Sequence, residues 1–239
     1  MENVRRSLVV LIVATLAASG CATGKGAFFS DAPVALVSIV SNYDINWKDE
    51  DPVSPSAVNS AYRRARRTDE DWVIVSSADM IIDEIEEIIR NTLEESPLVT
   101  LAPKDRALRS LSYNEARPNS VQEKNSMMTP EGYRLINNRD NNFYPALLAE
   151  TGITRTLFIT LDLTREMYSG VGKNGNCRAK VSMNVMLKDD RGKNLFHKTY
   201  DTYSRDTTRV TAGAYSQNEF LDLVLSAIED ACLDFLDNL

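Results

Sequence analysis

Two long runs of alternating hydrophobic and polar residues dominate the second half of the chain. Their hydrophobic members are Leu157, Ile159, Leu161 and Leu163 in the first run, then Ala179, Val181, Met183, Val185 and Leu187 in the second. Strict alternation places successive side chains on opposite faces of a strand. The glycine-rich stretch 170–175 lies between the runs and can form a turn. The sequence therefore predicts a long antiparallel hairpin with one buried face and one solvent-exposed face.

A third strand and a terminal helix are predicted after this hairpin. The turn Asp189–Lys193 leads into residues 195–203, where tyrosines and threonines suggest the edge of a sheet. Ser216 and Glu219 form a capping box at the start of a helix. Its apolar residues then recur at helical spacing: Phe220, Leu221, Val224, Ile228, Cys232, Phe235 and Leu236. We expect this helix to cover the sheet.

The first half of the chain alternates strand and helix patterns. Pro33–Val40 indicates a buried strand, and a stripe of isoleucines from Ile81 to Ile89 indicates an amphipathic helix that starts at Ser76. Further segments follow: a strand at 97–101, a short helix at 104–113 and a helix at 143–150 that ends at Gly152; residues 72–75 fit either a strand or a lead into the isoleucine helix. The predicted fold class is an α/β (α+β) sandwich, a mixed sheet with an antiparallel C-terminal meander and helices packed on it.

The N-terminus has the pattern of a secretory signal peptide, predicted at residues 1–20. Arg5 and Arg6 precede an apolar run over 7–17, which is too short for the roughly 20 residues of a membrane span. Residues 18–21, Ala-Ser-Gly-Cys, resemble the lipobox of bacterial lipoproteins. That resemblance implies lipidation of Cys21, with 21–32 as a tether and, because Ala22 follows, an outer-membrane location facing the periplasm. Ordinary cleavage that leaves an unlipidated protein is the alternative, and exposure at the cell surface stays open.

Charge and histidine content narrow the possible functions. The chain has 27 Lys and Arg against 34 Asp and Glu, a net charge of −7, which argues against nucleic acid as the partner. His197 is the single histidine, so a multi-histidine metal site is excluded and a Ser-His-Asp triad would have to use it. We predict neither a metal nor another cofactor, no catalytic residues and no enzymatic activity.

Two polar insertions in a single domain at 33–239 are the candidate partner-binding segments, because loops on a rigid scaffold carry recognition. The first insertion, 44–71, contains the basic cluster Arg63, Arg64, Arg66 and Arg67, which is either part of a solvated loop or short helix or a docking patch for anionic lipid or an acidic polymer. The second, 114–142, contains Met127, Met128 and Tyr133, which either bind a partner or attach the insertion to its own domain.

Two cysteines remain besides Cys21. Cys177 and Cys232 could form a disulfide in an oxidising compartment, closing a long loop. Cys232 falls on the apolar face of the terminal helix, so two packed thiols are the other possibility. The sequence does not decide between them.

The order of elements resembles the family of envelope lipoprotein domains that includes CsgG, LpoB and the N-terminal domain of TolB. Four segments carry this resemblance: Val34–Val40, Ile81–Leu101, Leu147–Leu157 and the turn Lys188–Phe196. It implies an anticodon-binding-like α/β fold, and its motifs are hydrophobic patterns without a catalytic residue.

These observations favour a lipid-anchored periplasmic protein that binds another envelope protein, or a second copy of itself, as an accessory to assembly, secretion or cell-wall synthesis. The alternative is a lipid-tethered carrier of small ligands or a hydrolase. That alternative predicts a deep apolar pocket beneath the insertions and a need for His197.

Overall fold

The computed structural model describes Phe29 and residues 32–48, 72–73 and 75–239. The predicted signal peptide 1–20 and the lipidation site Cys21 lie outside the described residues. So does the arginine cluster, made of Arg63, Arg64, Arg66 and Arg67.

A mixed sheet forms the centre of the fold, and it confirms the predicted α/β class. Its strands are β1 Val34–Asn42, β2 Asp44–Trp47, β3 Trp72–Val73, β4 Ser76–Ser77, β5 Met127–Met128, β6 Arg155–Val171, β7 Asn174–Asp189, β8 Asn194–Tyr203, β9 Thr208–Thr211 and β10 Ala214–Ser216. The main path runs β3-β10-β9-β7-β6-β1-β5, with β8 paired to β7. The β1–β6 pair is parallel, whereas β6, β7 and β8 form the predicted antiparallel meander.

The predicted hairpin is confirmed and is the longest feature of the sheet. β6 and β7 pair from Arg155 opposite Asp189 to Val171 opposite Asn174, with one irregularity between Met167 and Ser169. β7 alternates between buried and half-buried residues along most of its length, as a strand with one covered face should.

Helices cover the sheet from both sides. The bounds are α1 Ile82–Glu95, α2 Lys104–Leu108, α3 Leu111–Asn114, α4 Ser120–Lys124, α5 Phe143–Thr151 and α6 Gln217–Asp237. α1 packs against α6, and α6 lies on β7 and β8. On the other side, the Tyr144 ring of α5 lies 6.4 Å from the Phe158 ring, and Tyr113 Oη donates to the Val37 carbonyl at 3.1 Å. No helix among the described residues is long and apolar enough to cross a membrane.

The start of the isoleucine helix differs from the sequence prediction. Ser76 does not cap α1 but belongs to β4, where its hydroxyl lies 2.8 Å from that of Tyr215. α1 begins at Ile82, and no side chain bonds to its first amides. By contrast, the Ser216 side chain accepts from the Glu219 amide at 3.4 Å, as predicted for α6.

Other segments also differ from the predictions. The expected strand at 97–101 reduces to a single bridge between Leu101 and Val34. The predicted helix at 104–113 is divided into α2 and α3, and the insertion at 114–142 contains α4 and β5. Residues 72–75 fitted either a strand or a lead into the isoleucine helix. Of these, Trp72 and Val73 form a strand.

Phe29 is the unexpected member of the core. It is fully buried, with ring centroids 5.6 Å from Phe196 and 5.3 Å from Phe235, and its carbonyl accepts from the Thr100 amide at 3.0 Å. Packing therefore starts within the segment that the sequence assigned to the tether.

Candidate functional site

Toward the hairpin turn, the face of the β6–β7–β8 meander that points away from α6 is open, whereas α5 covers the other end of this face at Phe158. Because cross-strand partners share a face, the register defines it: Asp162 is opposite Ser182, which is opposite Asp201, and Thr164 and Tyr203 flank Lys180 in the same way. We call this the open face and define it as Asp162, Thr164, Glu166, Arg178, Lys180, Ser182, Asn184, His197, Thr199, Asp201 and Tyr203. None of these residues is buried.

Polar side chains on the open face bond to one another across the strands. The Asn184 amide donates to Thr199 Oγ1 at 2.9 Å and lies 3.0 Å from His197 Nε2, and the Ser182 hydroxyl bonds to Asp201. His197 thus bonds to a neutral amide on an exposed strand. The pleat fixes this arrangement, and its side chains are exposed or half-buried.

The end of the open face nearest the hairpin turn carries two tyrosines around an arginine. The Arg178 guanidinium carbon lies 3.8 Å from the ring centroid of Tyr203 and 5.6 Å from that of Tyr168. Arg178 Nη2 also lies 3.0 Å from Glu166 Oε2, and Lys48 Nζ lies 3.6 Å from the other oxygen of Glu166. We call Glu166, Tyr168, Arg178 and Tyr203 the aromatic–arginine cluster.

This cluster combines exposure with a fixed geometry. Tyr168 is 62% exposed, whereas Arg178 is held by one carboxylate and two rings. Tyrosine and arginine are enriched among the residues that dominate binding energy at protein interfaces, and a pre-ordered arginine loses less entropy when a partner binds. The cluster can therefore act as an anchor for a protein surface.

The turn of the hairpin holds the cluster in place. Gly170 and Gly175 face each other so closely that a Cβ on Gly170 would lie 2.0 Å from the Asn174 carbonyl oxygen. The Gly213 amide donates to the Lys173 carbonyl at 3.0 Å, and the Ala212 amide donates to Asn174 Oδ1 at 2.8 Å. These bonds tie the turn to the β9–β10 connection. The glycines of 170–175 allow the two strands to approach each other closely at the turn. The segment that follows these glycines is a strand and not a helix.

A buried arginine supports the hairpin from the opposite face. Arg165 is 2% exposed, and its guanidinium carbon lies 4.8 Å from the Trp47 ring and 4.7 Å from the Tyr215 ring. This stack joins β2, β6 and β10, so that the strand that carries Glu166 and Tyr168 is fixed on both sides.

Residues of the second insertion lie away from the open face. Met127 and Met128 are half-buried in β5, opposite Asn42 and Ser41 of β1. Tyr133 is buried, and its hydroxyl donates to Glu86 Oε1 at 3.3 Å. Burial raises the pKa of Tyr133 well above its ordinary value, and the nearby Glu86 charge raises this pKa further. These three side chains contact their own domain.

Cys177 and Cys232 are free, buried thiols in the structure. Thr208 is the cross-strand partner of Cys177, and Thr208 Oγ1 donates to Glu219 in the first turn of α6 at 2.5 Å. Cys232 lies thirteen residues beyond Glu219, about 20 Å further along a helix. A disulfide requires Cα atoms within about 7 Å, so the bridge that the sequence left open is absent from this arrangement.

A groove of about 530 Å³ lies between β8 and α6. Its lining consists of Asp201, Thr202, Tyr203, Arg205, Asp230, Leu233, Asp234 and Asp237. This groove is acidic and lies outside the insertions, unlike the apolar pocket expected for a carrier or hydrolase. Within the described ranges, no group of three or more His, Cys, Asp or Glu side chains is arranged to hold a metal ion.

Sequence reasoning missed the aromatic–arginine cluster. The pairing of Glu166 with Arg178 depends on the irregularity between Met167 and Ser169, because Glu166 lies four residues before Gly170 whereas Arg178 lies three residues after Gly175. Tyr203 joins them only through the register of β8, and Tyr168 only through the irregularity next to Met167.

Comparison with known proteins adds weak likenesses. No family model matches the chain, and no curated protein sequence does. The hypothetical protein CT253 from Chlamydia trachomatis is 12% identical over 72% of this chain and 72% of its own, with a TM-score of 0.29. The LpoB C-terminal domain from Salmonella enterica is 7% identical over 71% of this chain and 82% of its own, with a TM-score of 0.23. At these TM-scores neither likeness supports an inference about function.

Proposed function

We propose that this chain is a lipid-anchored protein of the bacterial cell envelope whose domain binds another envelope protein through the open face. It faces the periplasm from the outer membrane and acts as an accessory to assembly, secretion or cell-wall synthesis. The observation that carries the binding proposal is the aromatic–arginine cluster, in which Arg178 is already ordered between Tyr168 and Tyr203.

The shape of the open face supports a macromolecular partner. Three strands present an array of half-buried and exposed polar groups, with the exposed Tyr168 and Val171 at one end. Small ligands favour concave apolar sites, whereas protein interfaces combine a few aromatic or arginine anchors with a polar rim. The open face has the composition of a protein interface.

The proposed lipid anchor rests on the lipobox-like residues before Cys21. The position of Phe29 limits how far the lipid can lie from the folded domain. Phe29 lies eight residues beyond Cys21, which limits the distance between them to about 28 Å. Phe29 contacts Phe196, which is aligned with Leu187 and Leu157. The cluster begins nine residues beyond Leu157 on β6, about 30 Å away. A lipid on Cys21 would therefore hold one end of the sheet near the bilayer and leave the cluster free for a partner.

Site-specific photocrosslinking in intact cells tests the binding proposal. A photoreactive phenylalanine analogue replaces Tyr168 in one strain and Leu111 in the control, because Leu111 is 63% exposed on α3 and lies outside the open face. We expect a crosslinked second protein from position 168 that is absent from position 111 and is lost when Arg178→Ala is added. Identical adducts from both positions, or none from position 168, would contradict the proposal.

Metabolic labelling with an alkyne-bearing palmitate tests the anchor separately. We expect the wild-type chain to incorporate the label and to fractionate with the outer membrane, and Cys21→Ser to do neither. Incorporation that persists in Cys21→Ser would refute lipidation at this cysteine while leaving the binding proposal intact.

A further inference from the structure

The acidic groove between β8 and α6 keeps a negative charge although Lys198 lies near it, where Lys198 Nζ donates to Asn238 Oδ1 at 2.8 Å. Its lining includes three aspartates of α6, Asp230, Asp234 and Asp237, against the guanidinium of Arg205, which leaves a net charge of −2; the carboxylate of Asp201, a fourth lining residue, bonds to Ser182 on the open face. Arg205 forms an ion pair with Asp230, and Lys180 lies 3.9 Å from Asp201. Asp234 and Asp237 have no ion pair within the described part of the chain, and both are exposed.

The backbone edge of β8 borders the same groove. Among the described residues β8 pairs on one side only, with β7, and three of its consecutive residues, Asp201, Thr202 and Tyr203, line the groove. An edge strand of this kind can accept an added strand from another chain. Leu233 lies in the groove and is 42% exposed, so it offers an apolar contact for the stem of a long side chain.

A buried hydroxyl next to the groove lacks a partner. Tyr200 is 5% exposed, and its hydroxyl makes no hydrogen bond among the described residues. Its ring packs 5.8 Å from that of Phe235, and it lies close enough to the groove-lining Asp234 for that charge to contribute to its raised pKa, of which burial is the larger cause. Most buried polar groups are satisfied, so an orphaned hydroxyl beside unpaired carboxylates indicates a place where a donor or acceptor is added.

We infer that this groove binds an extended peptide segment of a partner protein, in which lysine or arginine recurs at every second residue, added as a strand along β8. Alternate side chains of a strand repeat about every 6.7 Å on one face. On α6 the carboxylates of Asp230, Asp234 and Asp237 are about 6 Å and 4.5 Å apart along the helix axis. A basic strand added along β8 would therefore bring its inward-facing cations within reach of these aspartates.

Charge argues against a second copy of this chain as the occupant. Two β8 edges paired with each other would bring two grooves of net charge −2 together, and like charges that face each other across an interface repel. A basic segment is instead attracted by the three aspartates of α6.

Fluorescence anisotropy with the detergent-solubilised full chain tests this inference. The probe is a labelled heptapeptide in which lysine alternates with valine, and the groove variant combines Asp234→Asn with Asp237→Asn. The matched control, Asp222→Asn with Glu87→Gln, removes the same charge from exposed positions on α6 and α1 that do not line the groove. We expect the groove variant to bind the probe about tenfold more weakly than wild type, since two exposed ion pairs are lost, and the control to bind normally.

Two further peptides separate strand addition from simple charge attraction. One has the same composition with its lysines in a block, and the other replaces the central valine with proline, which removes a ladder donor. Weaker binding of both peptides supports the inference.

Equal affinity of wild type, groove variant and control for the alternating peptide would overturn it. A dimer in sedimentation that the groove variant abolishes would overturn it in favour of a second copy. Neither result depends on the crosslink at Tyr168, so failure here and failure of the proposed function are distinguishable.

Discussion

The guanidinium of Arg178 stacks on the ring of Tyr203, with 3.8 Å between the guanidinium carbon and the ring centroid. The two residues are diagonal neighbours, because the direct partner of Tyr203 across the strands is Lys180. Stacking therefore needs the long reach of an arginine and the flat face of a tyrosine. It couples the hairpin to β8 next to the hairpin turn.

Arg178→Ala should lower the free energy of unfolding by about 1 kcal/mol, since it removes a cation–π stack and a half-exposed ion pair with Glu166. Arg178→Lys keeps the charge but not the planar stack, so we expect an intermediate value. Urea melts of the three proteins measure this. Equal stability of all three would show that the stack contributes nothing.

Phe29→Ala should destabilise the domain by about 3–5 kcal/mol, the usual cost of truncating a buried aromatic side chain. Phe29 is fully buried against Phe196 and Phe235. Tyr168→Ala is the control, because Tyr168 is largely exposed, and its cost should stay near 0.5 kcal/mol, a rough figure for surface changes. A small effect at Phe29 would mean that this segment does not belong to the folded core. Thermal and urea unfolding both report the difference.

Gly170→Ala should cost about 2 kcal/mol or more, because a Cβ there would meet the Asn174 carbonyl oxygen at 2.0 Å and φ is +120°. Gly172→Ala should cost only about 1 kcal/mol, since φ is +60° but no atom lies within 4 Å of the added carbon. Equilibrium unfolding of both variants tests the pair. The opposite ranking would contradict the close approach of the two strands at the turn.

Cys177 and Cys232 should resist alkylation while the protein is folded. Burial raises the pKa of each thiol to about 12, so little of the reactive thiolate exists at neutral pH. With the protein lipidated at Cys21, iodoacetamide should add nothing to the native form and two adducts after unfolding in urea without a reductant, as read by intact mass, because Cys177 and Cys232 are then the two free thiols of the three cysteines. An unfolded protein that takes up no label would show that the two cysteines are bridged.

Stability should fall as pH rises from about 9 to about 12. The ordinary pKa of a thiol is 9.0, and the folded value for Cys232 is about 12, so in this window the unfolded chain loses a proton that the folded chain retains. The free energy of unfolding therefore decreases with pH there and is insensitive to this group below pH 9. Cys232→Ala should flatten the decrease relative to wild type in urea melts at a series of pH values. An unchanged slope would assign the alkaline loss to other groups, such as Tyr113, whose pKa burial raises to about 12.

Elements with a long local pattern could be predicted from the sequence. The β6–β7 hairpin follows from alternation over two runs, and α6 follows from a helical stripe together with a capping serine, because both patterns depend only on the period of the backbone. Short elements were not predictable in this way. Ser76 has the local pattern of a helix cap but lies in β4, because a hydrogen bond to Tyr215, which is far away in sequence, favours the strand.

The candidate site required the tertiary structure for a related reason. The sequence by itself determined the α/β class, the hairpin and its two faces, since these depend on periodicity. Only the tertiary structure decided that Tyr168, Arg178 and Tyr203 meet, that Phe29 joins the core and that the aspartates of α6 lie beside the edge of β8. Each of these relationships depends on strand register and on helix placement across the sheet, which are set by packing between segments distant in the chain.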